Sequence, residues 1–386
     1  MNIKDHKFII LASYSSNALG QIRSLGEKGI YIIAILTHKS TYRIDKSKYI
    51  SELYHCNTFN DGLNFILDKY GKELQKPFIY TDCEEVVGLL DKRFDEFNDK
   101  FYFWNGGEEG RLTQFINKEN QIKLAEECGM RIPKSEVVKV GDMPKELTYP
   151  IFTKSIDSLS IYWKGNEFIC NNEEDLKTAY SKMDVEYILL QEFIVKQEET
   201  PIEGISINNG QDVLLTVKSV NYRLTKESHG IFRHIVPFED NELAEKIKKF
   251  VNEIHYNGIF GIEFIIDKKG VAYFLEINLR VTQYNSAYSM FGANLPYIYA
   301  LSVIKGEIAY NEINYSHKRP FNVMSEFEDF KISCIHGDVS LHQWINDVRR
   351  TDCFQYYDVH DKKPFYYTVL AKIKLGLKRA LFHKSR

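Results

Sequence analysis

Residues 259–280 constrain the fold more than any other part of this chain, because they have the pattern of a β-hairpin. Two runs rich in β-branched and aromatic residues flank Asp-Lys-Lys-Gly, a sequence typical of a turn. Side chains along a strand alternate between its two faces. Glu276, Asn278 and Arg280 in the second run are therefore predicted to share one face of a sheet.

The length of the turn decides which residues of this hairpin lie opposite one another. If the turn closes with two or four residues, Ile266 pairs with Val271, and Glu263 lies opposite Phe274. Glu276 is then the diagonal neighbour of Glu263 on the same face, at about 7–8 Å, so the two carboxylates can converge on one cation. A three-residue loop would place the two acids on different faces.

This cluster of polar side chains among Ile, Phe and Val predicts a site for a cation and a phosphate. Acidic side chains are costly to bury unless they are paired or bound to a metal. Carboxylate and amide oxygens suit Mg²⁺, which also takes phosphate oxygens. Arg280 supplies a planar cation that suits a carboxylate or a phosphate. The alternative is an ordinary antiparallel hairpin with one face in solvent.

Two segments of the hairpin resemble the metal-binding signature of the ATP-grasp superfamily, especially its carboxylate–amine ligases: Glu263-Phe-Ile-Ile-Asp267 and Phe274-Leu-Glu-Ile-Asn-Leu-Arg280. Gly292-Ala-Asn-Leu-Pro296 resembles the helix start that follows this signature in the carbamoyl-phosphate-synthetase-like and D-aspartate-ligase-like branch. A looser resemblance extends from residue 7 to about residue 306.

The resemblance implies that the protein binds ATP with Mg²⁺, or with Mn²⁺ as an alternative ion. It assigns the metal to Glu263, Glu276 and Asn278. It assigns contact with phosphate or with an acyl-phosphate intermediate to Arg280.

The resemblance and the local patterns together predict an α/β and α+β multidomain protein. Residues 8–12 and 30–36 have the composition of buried strands, and a Ser/Asn cluster between them can cap a helix, which predicts a βαβ unit of a parallel sheet. Its turn is not GxGxxG, so a dinucleotide site has little support. We expect a Rossmann-like pre-ATP-grasp domain (1–113), then a two-lobed ATP-grasp domain with a small lobe (114–190) and a large lobe holding the metal site (191–310), and a C-terminal extension (311–386).

Two lysines are expected to reach the phosphates of ATP, because they match lysines that do so in the superfamily. Lys118 lies at the start of a predicted helix, and Lys154 ends a predicted strand. Each alone would be an ordinary solvated side chain. Many relatives then carry a Gly-rich loop over the phosphates, whereas residues 156–165 contain one Gly, and Ser155, Ser158 and Ser160 are the hydroxyl groups that could replace its backbone donors.

Residues 187–194 form a continuous apolar run that is predicted to be a strand. By resemblance it leads into the hinge between the two lobes, where backbone groups of Glu192, Phe193 and Ile194 read adenine. A following acid, Glu198 or Glu199, binds ribose, and we favour Glu199. The alternative is a core strand followed by a solvated loop.

Further strands are predicted at residues 213–222 and 231–236, and Arg233 and Lys218 alternate with apolar neighbours in them. We expect these two cations to face the γ-phosphate or a substrate carboxylate, and we assign Arg233 a catalytic role with Arg280. The polar segment between the strands is predicted to be a loop, in which His229 is a loop histidine rather than a general base.

Composition disfavours nucleic-acid binding and predicts where the protein is located. The formal net charge of −3 gives no field that would favour nucleic acid. Six scattered cysteines and the absence of a signal-peptide pattern or a long apolar run predict a cytoplasmic protein. Residues 369–386 form a basic amphipathic tail that could lie on an anionic membrane surface, or pack on its own domain. A homodimer is a further expectation, because dimers are common among relatives.

The predicted function is an ATP-dependent carboxylate–amine ligase that forms a C–N bond through an acyl phosphate. Its partners are then a small-molecule carboxylate and an amine; by analogy with the D-aspartate-ligase-like branch, an amino acid is joined to an amino acid, a peptide or a cell-envelope precursor. One alternative is a small-molecule kinase of the same fold. The other is an ATP-binding protein without catalytic activity.

Overall fold

The structure, a computed structural model, describes residues 2–156, 166–223, 231–335, 337 and 339–383. Within these ranges the chain forms three β-sheets. Helices surround them, and the largest buried cluster connects the first sheet with the third.

The first sheet is parallel and confirms the predicted βαβ unit. Ser15 caps the first helix through a hydrogen bond from the Ala18 N–H to its Oγ (3.0 Å), as the Ser/Asn cluster predicts. Three of its strands, including the one at one edge, are buried along their whole length, whereas the strand at the other edge alternates between half-buried and exposed residues. The strands, in the spatial order third–second–first–fourth, and the helices are β1 (Phe8–Ala12), α1 (Ser16–Gly26), β2 (Ile32–Leu36), β3 (Ile50–His55), α2 (Phe59–Tyr70), β4 (Phe78–Tyr80), α3 (Glu84–Lys92) and α4 (Phe94–Phe97).

The second sheet is antiparallel and small. A separate apolar cluster that includes Ile151, Leu176, Ile188 and Leu190 packs one helix against it. The elements of this part are α5 (Arg111–Ile116), α6 (Lys118–Glu127), β5 (Ser135–Lys139), β6 (Ile151–Lys154), β7 (Phe168–Cys170), α7 (Glu173–Tyr180) and β8 (Tyr187–Glu192), with the strands in the order β5-β8-β6-β7.

The third sheet has seven strands in the order β13-β12-β9-β10-β11-β14-β15. Only its last pair is parallel. It contains the predicted hairpin, and also a twelve-residue strand that the sequence analysis did not predict. The strands are β9 (Lys196–Ile207), β10 (Asp212–Asn221), β11 (Phe232–Pro237), β12 (Gly258–Asp267), β13 (Ala272–Asn278), β14 (Phe321–Met324) and β15 (Cys353–Phe354).

The expected C-terminal extension contributes the last two strands of this sheet. The domain boundary at residue 310 stays a prediction, as do the other boundaries. The helices of the third sheet and the C-terminal segment are α8 (Asn241–Ile254), α9 (Asn285–Phe291), α10 (Leu295–Lys305), α11 (Glu326–Asp329), α12 (Leu341–Arg349) and α13 (Lys363–His383). Shorter helical turns are Ile3–Asp5, Ile44–Lys46, Tyr310–Glu312 and the π-helical Phe330–Ile335. None of the helices in the described ranges has both the length and the apolar character needed to cross a bilayer.

A buried ion pair ties the amino-terminal part of the chain to its C-terminal segment. Arg23 on α1 pairs with Asp361 (Nε–Oδ2, 3.1 Å), and both residues are buried. The guanidinium also donates to the carbonyl oxygens of Gln355 (3.2 Å) and Tyr356 (2.8 Å). The C-terminal segment is therefore part of the folded body.

Replacing Arg23 with methionine is expected to lower the free energy of unfolding by about 3–5 kcal/mol, because it leaves the buried Asp361 carboxylate without its cation. Urea denaturation followed by circular dichroism measures this loss. Lys246→Met is the matched control, since it removes an exposed i,i+4 pair with Glu242 and is expected to change stability by less than about 0.5 kcal/mol. Equal effects of the two substitutions would contradict a structural role for the Arg23 pair.

Candidate active site

The turn of the hairpin is the three-residue alternative. The Asp267 N–H donates to the Val271 carbonyl oxygen (3.0 Å) across residues 268–270. Ile266 therefore pairs with Ala272, and the pairing with Val271 expected for a two- or four-residue turn is wrong. The reason is the Asp267 side chain, whose Oδ1 accepts hydrogen bonds from the N–H groups of Lys269 (2.8 Å) and Val271 (2.9 Å). This arrangement, with an Asp that bonds to the backbone of its own turn, stabilises the three-residue loop.

A β-bulge in β13 nevertheless brings the two predicted metal ligands together. Phe264 pairs with Phe274, but Glu263 pairs with Glu276, so Leu275 is the extra residue on its strand. Glu263 thus lies directly opposite Glu276, not opposite Phe274 with Glu276 on the diagonal as predicted. The two carboxylates share one face of the seven-stranded sheet.

Two lysines hold the carboxylate of Glu276. Lys118, the first residue of α6, lies 3.2 Å from its Oε2, and Lys154, the last residue of β6, lies 3.3 Å from the same atom. Burial would raise the pKa of Glu276, but attraction to Lys154 and Lys118 and hydrogen bonds from both lower it. The Lys154 ammonium also approaches the carbonyl oxygen of Leu275 at the bulge (3.4 Å). The structure therefore gathers both predicted phosphate-binding lysines at the predicted metal site.

The pKa of Glu263 is shifted in the opposite direction to that of Glu276. Its Oε1 accepts a hydrogen bond from Asn278 Nδ2 (3.0 Å). Burial raises its pKa first, and the neighbouring charges of Glu276 and Glu199 raise it further. A cation between these acids would relieve the repulsion.

Arg280 connects this cluster to the first sheet. Its Nη2 donates to Asn278 Oδ1 (3.0 Å), and its Nε lies 3.5 Å from Oε1 of Glu84 in the first turn of α3. The sequence analysis did not select Glu84, because an acid in the first turn of a helix is common on surfaces. The amino-terminal part of the chain thus helps to position Arg280.

The donor set fits a hard divalent cation. Glu263 and Glu276 offer carboxylate oxygens and Asn278 an amide oxygen, which are the groups that Mg²⁺ or Mn²⁺ takes. The described ranges contain no group of three or more His, Cys, Asp or Glu side chains that could hold a metal, so this site rests on two acids and an amide. The assignment of these three residues as ligands stays a prediction.

Arg233 lies on the same face of the sheet, beside a cavity of about 490 Å³. It is buried, and it donates to Ser219 Oγ (2.8 Å), to the Ser219 carbonyl oxygen (2.9 Å) and to the Glu199 carbonyl oxygen. Lys218 precedes Ser219 in β10 and is therefore on the opposite face of the sheet. Its predicted role beside Arg233 is wrong. Charged and aromatic residues line the cavity, among them Glu199, Arg233, Glu263, Tyr284, Glu328 and Lys331.

The segment predicted to read adenine connects the second sheet with the third. The N–H groups of Glu192 and Phe193 donate to the carbonyl oxygens of Lys134 (2.9 Å) and Pro150 (3.1 Å). These two N–H groups are therefore already used within the protein, and the predicted contact with adenine would use the other backbone groups of Glu192, Phe193 and Ile194. The carboxylate of Glu199 pairs with Lys196 (3.0 Å).

The strand alternation of β9 separates the two acids considered for ribose. Glu199 shares the face of Glu263, whereas Glu198 is on the other face. Two other predictions lie outside the described residues: the Gly-poor loop with Ser158 and Ser160, and the loop histidine His229.

Sequence analysis missed one buried acid on this face, Glu203 of β9. Thr282 Oγ1 donates to its Oε1 (2.5 Å), and burial raises the pKa of Glu203 to about 7. The alternation of Glu199, Pro201 and Glu203 was the available signal. Pro201 hid it, because proline is unusual inside a strand.

Comparison with curated proteins finds similarity over about half of the chain. N5-carboxyaminoimidazole ribonucleotide synthase of Staphylococcus aureus is 25% identical over 222 residues, which is 55% of this chain and 58% of that protein. The chain thus spans less than two thirds of this curated relative. No family model matches the chain.

Several solved structures have a fold similar to that of this chain. The S. aureus N5-carboxyaminoimidazole synthetase complexed with ADP has a TM-score of 0.60 at 15% identity, covering 78% of this chain and 77% of that one. L-amino acid ligase of Bacillus licheniformis also has 0.60, at 14% identity, covering 78% and 74%. The biotin carboxylase domain dimer of Hydrogenobacter thermophilus 2-oxoglutarate carboxylase, with MgADP and bicarbonate, has 0.61 at 18% identity, covering 80% and 72%.

The raised pKa of Glu203 predicts a pH dependence of stability. In the unfolded chain this carboxyl group ionises near its ordinary pKa, whereas in the folded protein it holds its proton up to about pH 7. Its contribution to stability is therefore fully present at low pH and is lost as the pH rises from about 4.5 to about 7. The loss amounts to about 3 kcal/mol.

Unfolding free energies of the wild type and of Glu203→Gln between pH 5 and pH 8 measure this contribution. The wild type is expected to lose more stability than the variant over that interval. Glu242→Gln, which changes a largely exposed acid, is expected to follow the wild type. Parallel profiles for wild type and Glu203→Gln would show that Glu203 is ionised in the folded protein.

Proposed function

Because the chain has the ATP-grasp fold, we propose that it is an ATP-dependent carboxylate–amine ligase. One observation carries this proposal: Glu276 lies between Lys118 and Lys154 and directly opposite Glu263. The arrangement combines the acids that a phosphate-bound metal needs with the cations that phosphates need. The likeness to a synthase and to structures that contain ADP or MgADP supports it.

In this proposal, the lysines and acids divide the work of holding ATP. Lys118 and Lys154 orient the phosphates, and the 192–194 segment and Glu199 hold the adenosine part. Glu263, Glu276 and Asn278 would hold Mg²⁺, which when bound offsets the charge of the phosphate oxygens. Arg280, steadied by Glu84, faces the same region.

The proposed reaction has two steps. An oxygen of the substrate carboxylate attacks the γ-phosphorus of ATP. The bond between this phosphorus and the oxygen that bridges it to the β-phosphate breaks, which releases ADP and forms an acyl phosphate. The nitrogen of an amine then attacks the acyl carbon, loses a proton and releases phosphate. Arg280 and Arg233 provide positive charge beside the anionic groups, so positioning and electrostatics carry most of the rate.

The cavity beside Arg233 is the proposed substrate site. It is lined by cations, Arg233 and Lys331, and by acids, Glu199 and Glu328. Both signs of charge in one cavity suit a molecule that has a carboxylate and an ammonium group. We therefore propose an amino acid as one substrate, joined to an amino acid, a peptide or a cell-envelope precursor. The structural likeness to an L-amino acid ligase supports this choice.

The finer points of organisation belong to the same proposal. The division into 1–113, 114–190, 191–310 and 311–386 is supported by the three sheets, with the last segment completing the third. A homodimer is supported by the dimeric biotin carboxylase domain. Binding of small molecules rather than nucleic acid is supported by the net charge of −3, and a cytoplasmic location by six free cysteines in the described ranges.

Hydroxylamine trapping tests the proposed chemistry. The protein is incubated with Mg-ATP, pools of carboxylic and amino acids, and hydroxylamine as a surrogate amine. A ligase is expected to release ADP and to form a hydroxamate, which identifies the carboxylate when the pool is divided. ADP without hydroxamate would favour a kinase, and ATP binding without ADP release would favour a binding protein.

Glu276→Gln is expected to lower the rate of hydroxamate formation by about a hundredfold or more, because the site loses a metal ligand and the charge that holds two lysines. Circular dichroism checks that the variant is folded, and Glu263→Gln provides a second variant with the same expected loss. Glu242→Gln is the control and is expected to keep wild-type turnover. Unimpaired turnover in folded Glu276→Gln protein would remove the central assignment.

A further inference from the structure

The C-terminal helix α13 is attached to the body of the protein by one face. Phe365 stacks on Phe327, with ring centroids 5.4 Å apart. Thr368 is fully buried, and its Oγ1 accepts a hydrogen bond from the N–H of Arg43 (2.9 Å). The Lys372 ammonium lies 4.3 Å from the centre of the Tyr42 ring. The orientation of the first part of the helix is therefore fixed.

The opposite face of α13 carries an exposed apolar stripe. Tyr366, Leu370 and Ile373 are 53%, 62% and 54% exposed. Their spacing of four and three residues places them in one row along the helix. Lys363 and Lys374 are also exposed, and helical geometry puts them beside this row. The outward face thus combines apolar side chains with lysines.

The charge of this segment differs sharply from that of the whole chain. Residues 363–386 contain no Asp or Glu, whereas the chain as a whole has a formal net charge of −3. The cations of the segment are Lys363, Lys372, Lys374, Lys378, Arg379, Lys384 and Arg386. Of these cations, Lys363 and Lys374 are exposed beside the apolar row, whereas Lys372 lies on the Tyr42 ring of the attached face. A partner for the outward face is therefore expected to be apolar below its surface and negatively charged at it.

We propose that the outward face of α13 binds to an anionic membrane surface. Apolar side chains enter the boundary between headgroups and acyl chains, and the lysines meet lipid phosphates. Tyrosine at the start of the stripe suits the same boundary, since its ring is apolar and its hydroxyl is polar. A second copy of the helix is a poorer occupant, because it would bring like charges together. The proposal does not depend on the ligase chemistry.

Sedimentation with lipid vesicles tests the proposal. The full-length protein is mixed with vesicles of phosphatidylcholine alone, or with vesicles of phosphatidylcholine that contain about 30 mol% of the anionic lipid phosphatidylglycerol, which gives a strong surface potential. Binding is expected to the anionic vesicles, and to weaken as NaCl is raised, because salt screens the lysines. Leu370→Ser with Ile373→Ser is expected to lower the partition coefficient at least about tenfold, since two apolar side chains no longer enter the bilayer.

Matched variants separate the apolar and electrostatic contributions. Leu74→Ser changes an apolar residue that is 99% exposed elsewhere and is expected to bind vesicles as the wild type does. Lys374→Glu is expected to weaken binding, whereas Lys248→Glu on α8 is expected to have little effect.

Three results would overturn the proposal. The first is the absence of binding to anionic vesicles at low salt, and the second is equal binding by the wild type and the Leu370/Ile373 double variant. The third is a dimer that light scattering detects without lipid and that the double variant loses, which would assign the stripe to a second copy instead.

Discussion

The pairing of Glu276 with Lys118 and Lys154 is the interaction on which the rest of the site depends. The three charges come from β13, α6 and β6, so one cluster joins the large sheet, the small sheet and the helix that precedes it. Each charge would be costly in this environment without its partners. The two lysines that are expected to bind the phosphates are therefore held in place by the same acid that is expected to bind the metal.

A local irregularity makes this pairing possible. Continuing the register of the turn would put Glu263 opposite Leu275, and Glu276 and Asn278 would then be on the other face. The bulge at Leu275 moves both residues to the face of Glu263, and the Leu275 carbonyl oxygen is also approached by Lys154. The bulge thus aims two site residues at once, which is a common use of bulges beside functional sites.

The sequence predicted elements whose signals are local and missed those that depend on distant partners. Buried runs such as Phe8–Ala12 and the hairpin were found because their composition and alternation suffice. β9 was missed because of Pro201. Proline is tolerated at this position because β10 pairs with β9 only as far as Ile202, so Pro201 is paired with β12 alone. The turn length could not be read from Asp-Lys-Lys-Gly, because it depends on how the Asp267 side chain bonds.

The C-terminal segment was the least predictable part of the chain. Its strands are short and pair with residues far away in sequence, as β14 does with β11, so local patterns carry little information. It supplies Glu328 and Lys331 to the cavity wall, while the lysines and acids at the metal cluster come from residues 118–276. Arg223 holds this wall by pairing with the buried acids Asp329 and Asp347. In the proposed function, Glu328 and Lys331 line the substrate site and come from a different segment than Lys118, Lys154 and Glu276. We therefore expect substitutions of Glu328 or Lys331 to change which substrate fits without altering how the phosphates are held.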